Sequence, residues 1–136
     1  MSAWCAGVPG MLLARLAVAE ISDHAQLLDE TDRILRHFPE QSGMDFWCCG
    51  GLGLAEILLF TATRLRRPDL QTKAYAMLSS ILERALRTCY FRFNRNMDEN
   101  YCFQPPLFRG LSGIAYSALR FGSSGKILSV LAFETG

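Results

Sequence analysis

The residues best suited to chemistry in this sequence are its cysteines, at positions 5, 48, 49, 89 and 102. The N-terminus, Met1-Ser2-Ala3-Trp4-Cys5, has neither the basic nor the apolar region of a secretion signal. An odd, uneven set of cysteines without such a signal argues against a disulfide framework and for metal or thiol chemistry. Cys48 and Cys49 are adjacent, so a bond between them would be strained. Unpaired cysteine also serves as a small buried hydrophobe, and that is the expectation for Cys89 and Cys102, which belong to no pattern.

Cys5 and Cys48 do belong to one. Cys5-Ala6-Gly7-Val8-Pro9-Gly10 and Cys48-Cys49-Gly50-Gly51-Leu52-Gly53 share a Gly-x-x-Gly core, which returns without cysteine in Phe108-Arg109-Gly110-Leu111-Ser112-Gly113. Apolar helical runs follow at 11–20, 54–65 and 114–121. The leading glycines are 43 and then 60 residues apart. A period near 40 residues points to stacked helix-pair repeats. In this register Cys5 is equivalent to Cys48 and Arg109 to Cys49, each just before a helix N-terminus. Parallel inner helices would bring Cys5, Cys48 and Cys49 to one rim. There the unpaired N–H groups and partial positive charge of a helix start should lower a thiol's pKa. Three thiolates suit zinc and leave its fourth position open, as catalytic sites do. The alternative at this point is three buried apolar thiols in a helical stack.

The elements that must position these groups are helical. His24, Leu27, Leu28, Thr31, Ile34, Leu35 and Phe38 form a stripe, with Ser22 as N-cap and Pro39 beyond its end. Leu70, Ala74, Met77, Leu78, Ile81, Leu82, Ala85 and Leu86 form another, opened by Pro68-Asp69. These helices have one polar face and belong outside. The Gly-led helices are apolar nearly all round and must be covered on every side. A polar stretch, 92–104, is expected to be a surface loop. The tail from Ser123 should be a short packed segment. The fold class is all-α, a partial α/α toroid of about two and a half helix pairs, with residues 1–136 as one partial domain.

Composition sets the remaining bounds. Half of the 136 residues are hydrophobic and 20% charged, enough to build a core and too apolar for disorder. A formal charge of +1 gives no electrostatic footprint for nucleic acid or anionic lipid. The apolar stretches 8–19 and 48–62 are broken by Arg15 and Glu56, so no membrane span is expected and a cytoplasmic protein is the default.

Three motifs carry a resemblance. Trp4-Cys5-Ala6-Gly7-Val8-Pro9-Gly10, Cys48-Cys49-Gly50-Gly51-Leu52-Gly53 and the segment from Leu107 to Tyr116 resemble, in order, the last three motifs of the lanthionine synthetase C-like cyclases. The Cys48-Cys49 pair is similar to the three-thiolate zinc type of class II lanthipeptide synthetases. Leu128-Ser129-Val130-Leu131 and Glu134 resemble the way those domains close. The resemblance covers nearly all of this chain but only the C-terminal part of the family domain. It implies an α/α toroid, Zn2+ held by Cys5, Cys48 and Cys49, and thioether ring closure. In that chemistry a thiol of a precursor peptide adds to a dehydrated Ser or Thr of the same peptide.

The sequence also departs from the family. Ala6 stands where members often carry His or Tyr, and the His and Asp of earlier repeats have no counterpart. Thiolate addition produces an enolate that must be protonated. Arg109 is the candidate to stabilise its oxygen, against the reading of a solvated arginine; Tyr101 is weaker. His24 and His37 belong to an outer helix as surface or packing residues. Trp4 either packs in the core or shapes the zinc cavity. The expected function is therefore a zinc-dependent lanthipeptide cyclase, partnered by a precursor peptide and by the N-terminal part of the synthetase. The alternatives are a non-catalytic zinc- or peptide-binding remnant and a helical-repeat interaction module with incidental cysteines.

Overall fold

The computed structural model describes residues 4–21, 25–40, 42–93, 106–123 and 126–131. Within them the chain forms α1 (Val8–Ile21), α2 (Ala25–Arg36), α3 (Gly51–Leu65), α4 (Pro68–Thr88) and α5 (Leu111–Gly122), and no strand. α1 packs on α2 and α3 on α4; α3 also meets α1 and α5. These packed helix pairs form the expected partial α/α toroid, two pairs and a single further helix. Ser22, His24, Tyr101, Cys102 and Glu134 lie outside the described residues.

The Gly-led helices begin earlier than their apolar runs. α1, α3 and α5 each start on the residue after the first glycine, so the second glycine sits in the first helical turn. α3 is buried without interruption from Gly51 to Ala62, as a helix apolar all round requires. It ends where Arg66 enters the left-handed region (φ 51°) and the Arg67 N–H bonds back to the Ala62 carbonyl at 2.9 Å. Pro68 then opens α4 at the one place where a missing N–H costs nothing. α4 turns Leu70, Ala74, Leu78, Ile81 and Ala85 inward, a stripe at helical spacing.

Three expectations need correction. α1 and α5 are not covered on every side: α1 packs on α2 and α3, and α5 on α3 and, through Phe121 against Tyr75, on α4, yet Met11, Val18, Ile21 and Leu119 stay exposed. Leu86 falls outside the α4 stripe and is 81% exposed. Cys89 is no buried hydrophobe; it caps α4 in the left-handed region (φ 55°), exposed.

Two charged clusters lie inside. Glu56, the one charge of α3 before its last turn, is fully buried and pairs with Arg120 of α5 at 2.5 Å. Ser129 of the tail donates to the same carboxylate at 2.7 Å, so the tail is packed as expected. Asp45, also fully buried, binds Arg84 of α4 and, at 3.2 Å, Arg92. No helix among the described residues is long and apolar enough to cross a membrane.

Candidate metal centre

Three turns of one backbone design bring the candidate residues together. A β-carbon on Gly10 would lie 2.2 Å from the carbonyl oxygen of Trp4. On Gly53 it would lie 1.8 Å from that of Trp47, and on Gly113 1.9 Å from that of Leu107. In each case the chain folds back over its own glycine six residues on, so the three turns share the register read from the glycines. Gly7 adds a φ of 139°, which side chains rarely adopt. The turns are also bonded to one another. The Trp4 N–H donates to the Cys48 carbonyl at 3.3 Å, and the Cys48 N–H to the Phe108 carbonyl at 2.8 Å.

The second turn is the most firmly held. The Gly51 and Leu52 N–H groups donate to the carbonyls of Met44 and Asp45 at 2.8 and 3.3 Å. Asp45 and Arg92 exchange bonds: the Asp45 N–H donates to the Arg92 carbonyl at 2.9 Å, and the Arg92 N–H to the Asp45 carboxylate at 2.6 Å. Two guanidiniums on one buried carboxylate thus fasten the turn to the C-terminal end of α4. Sequence reading did not find Asp45 as a structural residue. Its signal was there, a lone acid inside Met44-Asp45-Phe46-Trp47-Cys48-Cys49.

The turns assemble a thiol cluster. The sulfurs of Cys5, Cys48 and Cys49 all lie within 4.8 Å of one another. Cys5 and Cys49 Sγ are 4.0 Å apart, and Cys48 and Cys49 Sγ 3.2 Å. Zn–S bonds of about 2.3 Å in a tetrahedron place sulfurs about 3.8 Å apart, so small rotations would let this set close on one zinc ion. The donors are all soft sulfur, with no carboxylate among them.

Cys48 departs from the expectation drawn from the helix start. Burial first, then the neighbouring Cys49 and Cys5, push the Cys48 thiol up to about 12. The leading N–H groups of α3 are taken by the Met44 and Asp45 carbonyls, which leaves that dipole little to offer the thiol. A divalent cation beside Cys48 would act in the opposite sense and favour its thiolate.

Aromatic rings flank the cluster. Phe108 stacks on Trp4 (centroids 6.1 Å apart) and on Trp47 (5.4 Å), and Tyr116 meets Trp47 edge-on at 5.0 Å. Arg109 is exposed, its guanidinium carbon 5.4 Å from the centroid of Phe46. His37 is exposed just past α2.

The family model of lanthionine synthetase C-like proteins matches residues 1–133. No curated protein matches the chain.

Proposed function

Because the chain belongs to the lanthionine synthetase C-like family, we propose that residues 1–136 form the C-terminal repeats of a zinc-dependent lanthipeptide cyclase. The observation that carries this reading is the set of three sulfurs within 4.8 Å, delivered by turns of one design. Cys5, Cys48 and Cys49 would hold the ion. Bound there, Zn2+ supplies the positive charge that keeps a peptide thiol deprotonated near neutral pH. The peptide's thiolate then forms a C–S bond to the β-carbon of a dehydroalanine or dehydrobutyrine. The electron pair moves onto the adjoining carbonyl as an enolate, and the α-carbon takes a proton.

Arg109 is proposed to stabilise the enolate oxygen. It follows Phe108, whose carbonyl is bonded to Cys48, and its exposed guanidinium is open to a peptide. The proton is proposed to come from outside these residues, supplied by solvent or by a partner repeat. The exposed apolar face of α1 supports such a partner. Met11 and Val18 correspond in register to Leu54 and Thr61 of α3, both buried, so a further helix-pair repeat is the cover that fits them. The same face favours a second reading, a zinc- or peptide-binding remnant active only within a larger assembly. The cytoplasm, where thiols stay reduced, is the proposed compartment.

Zinc stoichiometry tests the reading. About one zinc per chain is expected, lost in C48A/C49A, followed by thioether formation when the chain is mixed with a dehydrated peptide. R109A should keep its zinc and lower the rate about a hundredfold, the order of one lost stabilising donor. Zinc without ring closure would leave the remnant; a folded chain with no zinc would overturn the ligand assignment.

A further inference from the structure

Cys48 and Cys49 share one turn, whereas Cys5 lies 44 residues from Cys49 and must be brought to it. Cys5 is exposed, so core packing does not fix it. What holds it is its neighbour Trp4, through an N–H bond to Cys48, a carbonyl over Gly10, and a ring stacked on Phe108. Phe108 occupies the third turn's equivalent of Cys5 and Cys48 and offers no donor. Phe108 is 42% exposed, and its ring stacks on Trp4 and also on Trp47, which is fully buried. Trp47 is thus a fixed reference, and Phe108 transmits that reference to Trp4.

We propose that Phe108 is a positioning residue of the thiol cluster, its ring linking the tryptophans that precede Cys5 and Cys48 and so holding Cys5 at ligand distance. The proposal rests on the reading of the three cysteines as one ligand set. It makes an asymmetric demand: loss of the ring frees Cys5 and leaves the Cys48–Cys49 pair as it was.

Two arsenicals separate these effects. Arsenite bonds to three thiols and phenylarsine oxide to two, each As–S bond taking a thiol proton that leaves as water. In a reduced C89S/C102S chain, arsenite should engage Cys5, Cys48 and Cys49 together. In F108A its affinity should fall about tenfold, the order of one or two lost aromatic pairs. Phenylarsine oxide, served by Cys48 and Cys49, should bind as before. F108Y should restore arsenite binding. W4A should reproduce the loss without disturbing the third turn, and W4A/F108A should be no worse than either change alone. F121A, a core change remote from the cluster, should lower the melting temperature and leave both affinities in place. Unchanged arsenite binding in F108A and W4A, an equal loss for both arsenicals, or failure of the parent chain to engage three thiols would each overturn the proposal. A parent chain that takes arsenite at three thiols but no zinc would overturn the zinc reading and leave the role of Phe108 standing.

Discussion

The turns before α3 and α5 share a backbone and differ in everything it carries. In both, a glycine of the first helical turn lies against a carbonyl six residues earlier, that of Trp47 or of Leu107. In both, the helix begins immediately after the leading glycine. One turn then presents Cys48 and Cys49, and the other Phe108 and Arg109. The first is fastened by the buried Asp45 to Arg84 and Arg92; among the described residues the second has no such carboxylate. The difference teaches that the glycines build the platform, the two residues ahead of them choose its chemistry, and buried charge decides how rigidly each platform is held.

The sharpest way to break this comparison is to fill the glycine cradle. Gly53→Ala would put a β-carbon 1.8 Å from the Trp47 oxygen and 3.0 Å from its carbonyl carbon, a clash with backbone that no side-chain rotation relieves. We expect a loss of about 4 kcal/mol or failure to fold, read as the urea midpoint. Gly113→Ala meets the Leu107 oxygen at 1.9 Å and should follow closely. Gly43→Ala, whose β-carbon would have nothing within 4 Å, should stay within about 0.5 kcal/mol of the parent. Equal effects at Gly53 and Gly43 would mean that the shared turn is not what sets the helix starts.

Removing the buried charge sharpens the other half. Asp45→Ala leaves Arg84 and Arg92 without the carboxylate that both engage. Breaking a buried pair from one side costs about 3–5 kcal/mol. Arg84 and Arg92 are 22% and 36% exposed and can regain water, so about 3 kcal/mol is expected. Asp29→Ala removes a pair of the same chemistry on the surface of α2, with Arg33 66% exposed, and should cost at most about 0.5 kcal/mol. Asp45→Ala should also loosen the second turn, seen as faster amide exchange at Gly51 and Leu52.

How much of this was legible in the sequence follows from the range of each signal. The glycine register needs only local spacing, and it gave the helix order, the equivalence of Cys5 with Cys48, and the meeting of three sulfurs. The outer stripe of α4 is readable because burial repeats with the helix; Leu86 lies outside it because apolar character alone does not fix which side of the stripe edge a residue takes. Asp45 and Glu56 were not readable as buried, since their arginine partners lie 39, 47 and 64 residues away and only the fold unites them. Cys89 is exposed for a local reason, its place in the left-handed cap that ends α4, which spacing between cysteines does not reveal. The raised Cys48 pKa comes first from burial, then from the adjacent Cys49 and from Cys5 across the fold, and of these only Cys49 is visible in the motif.

The smallest effect concerns titration, where the second turn has a thiol and the third has none. In the metal-free chain Cys48 ionises only near 12, pushed up by burial and by Cys49 and Cys5, against 9.0 for an ordinary thiol. Between these values the folded chain holds a proton that the unfolded chain has released. Stability therefore falls as pH rises from about 9 toward 12, and the contribution is complete below about 9. Partial exposure lets water screen much of the penalty, so the decline should be modest. The clearer readout is alkylation: in the metal-free chain the rate at Cys48 should climb through a midpoint well above 9, and C5A/C49A should bring that midpoint down. Zinc acts in the opposite sense, displacing the proton and covering the sulfur, so zinc uptake should release protons and weaken as pH falls. A Cys48 midpoint near 9 in the metal-free chain would mean that Cys48 is neither buried nor crowded by Cys49 and Cys5, and the second turn would then differ from the third in its anchoring and composition but not in the environment of its thiol.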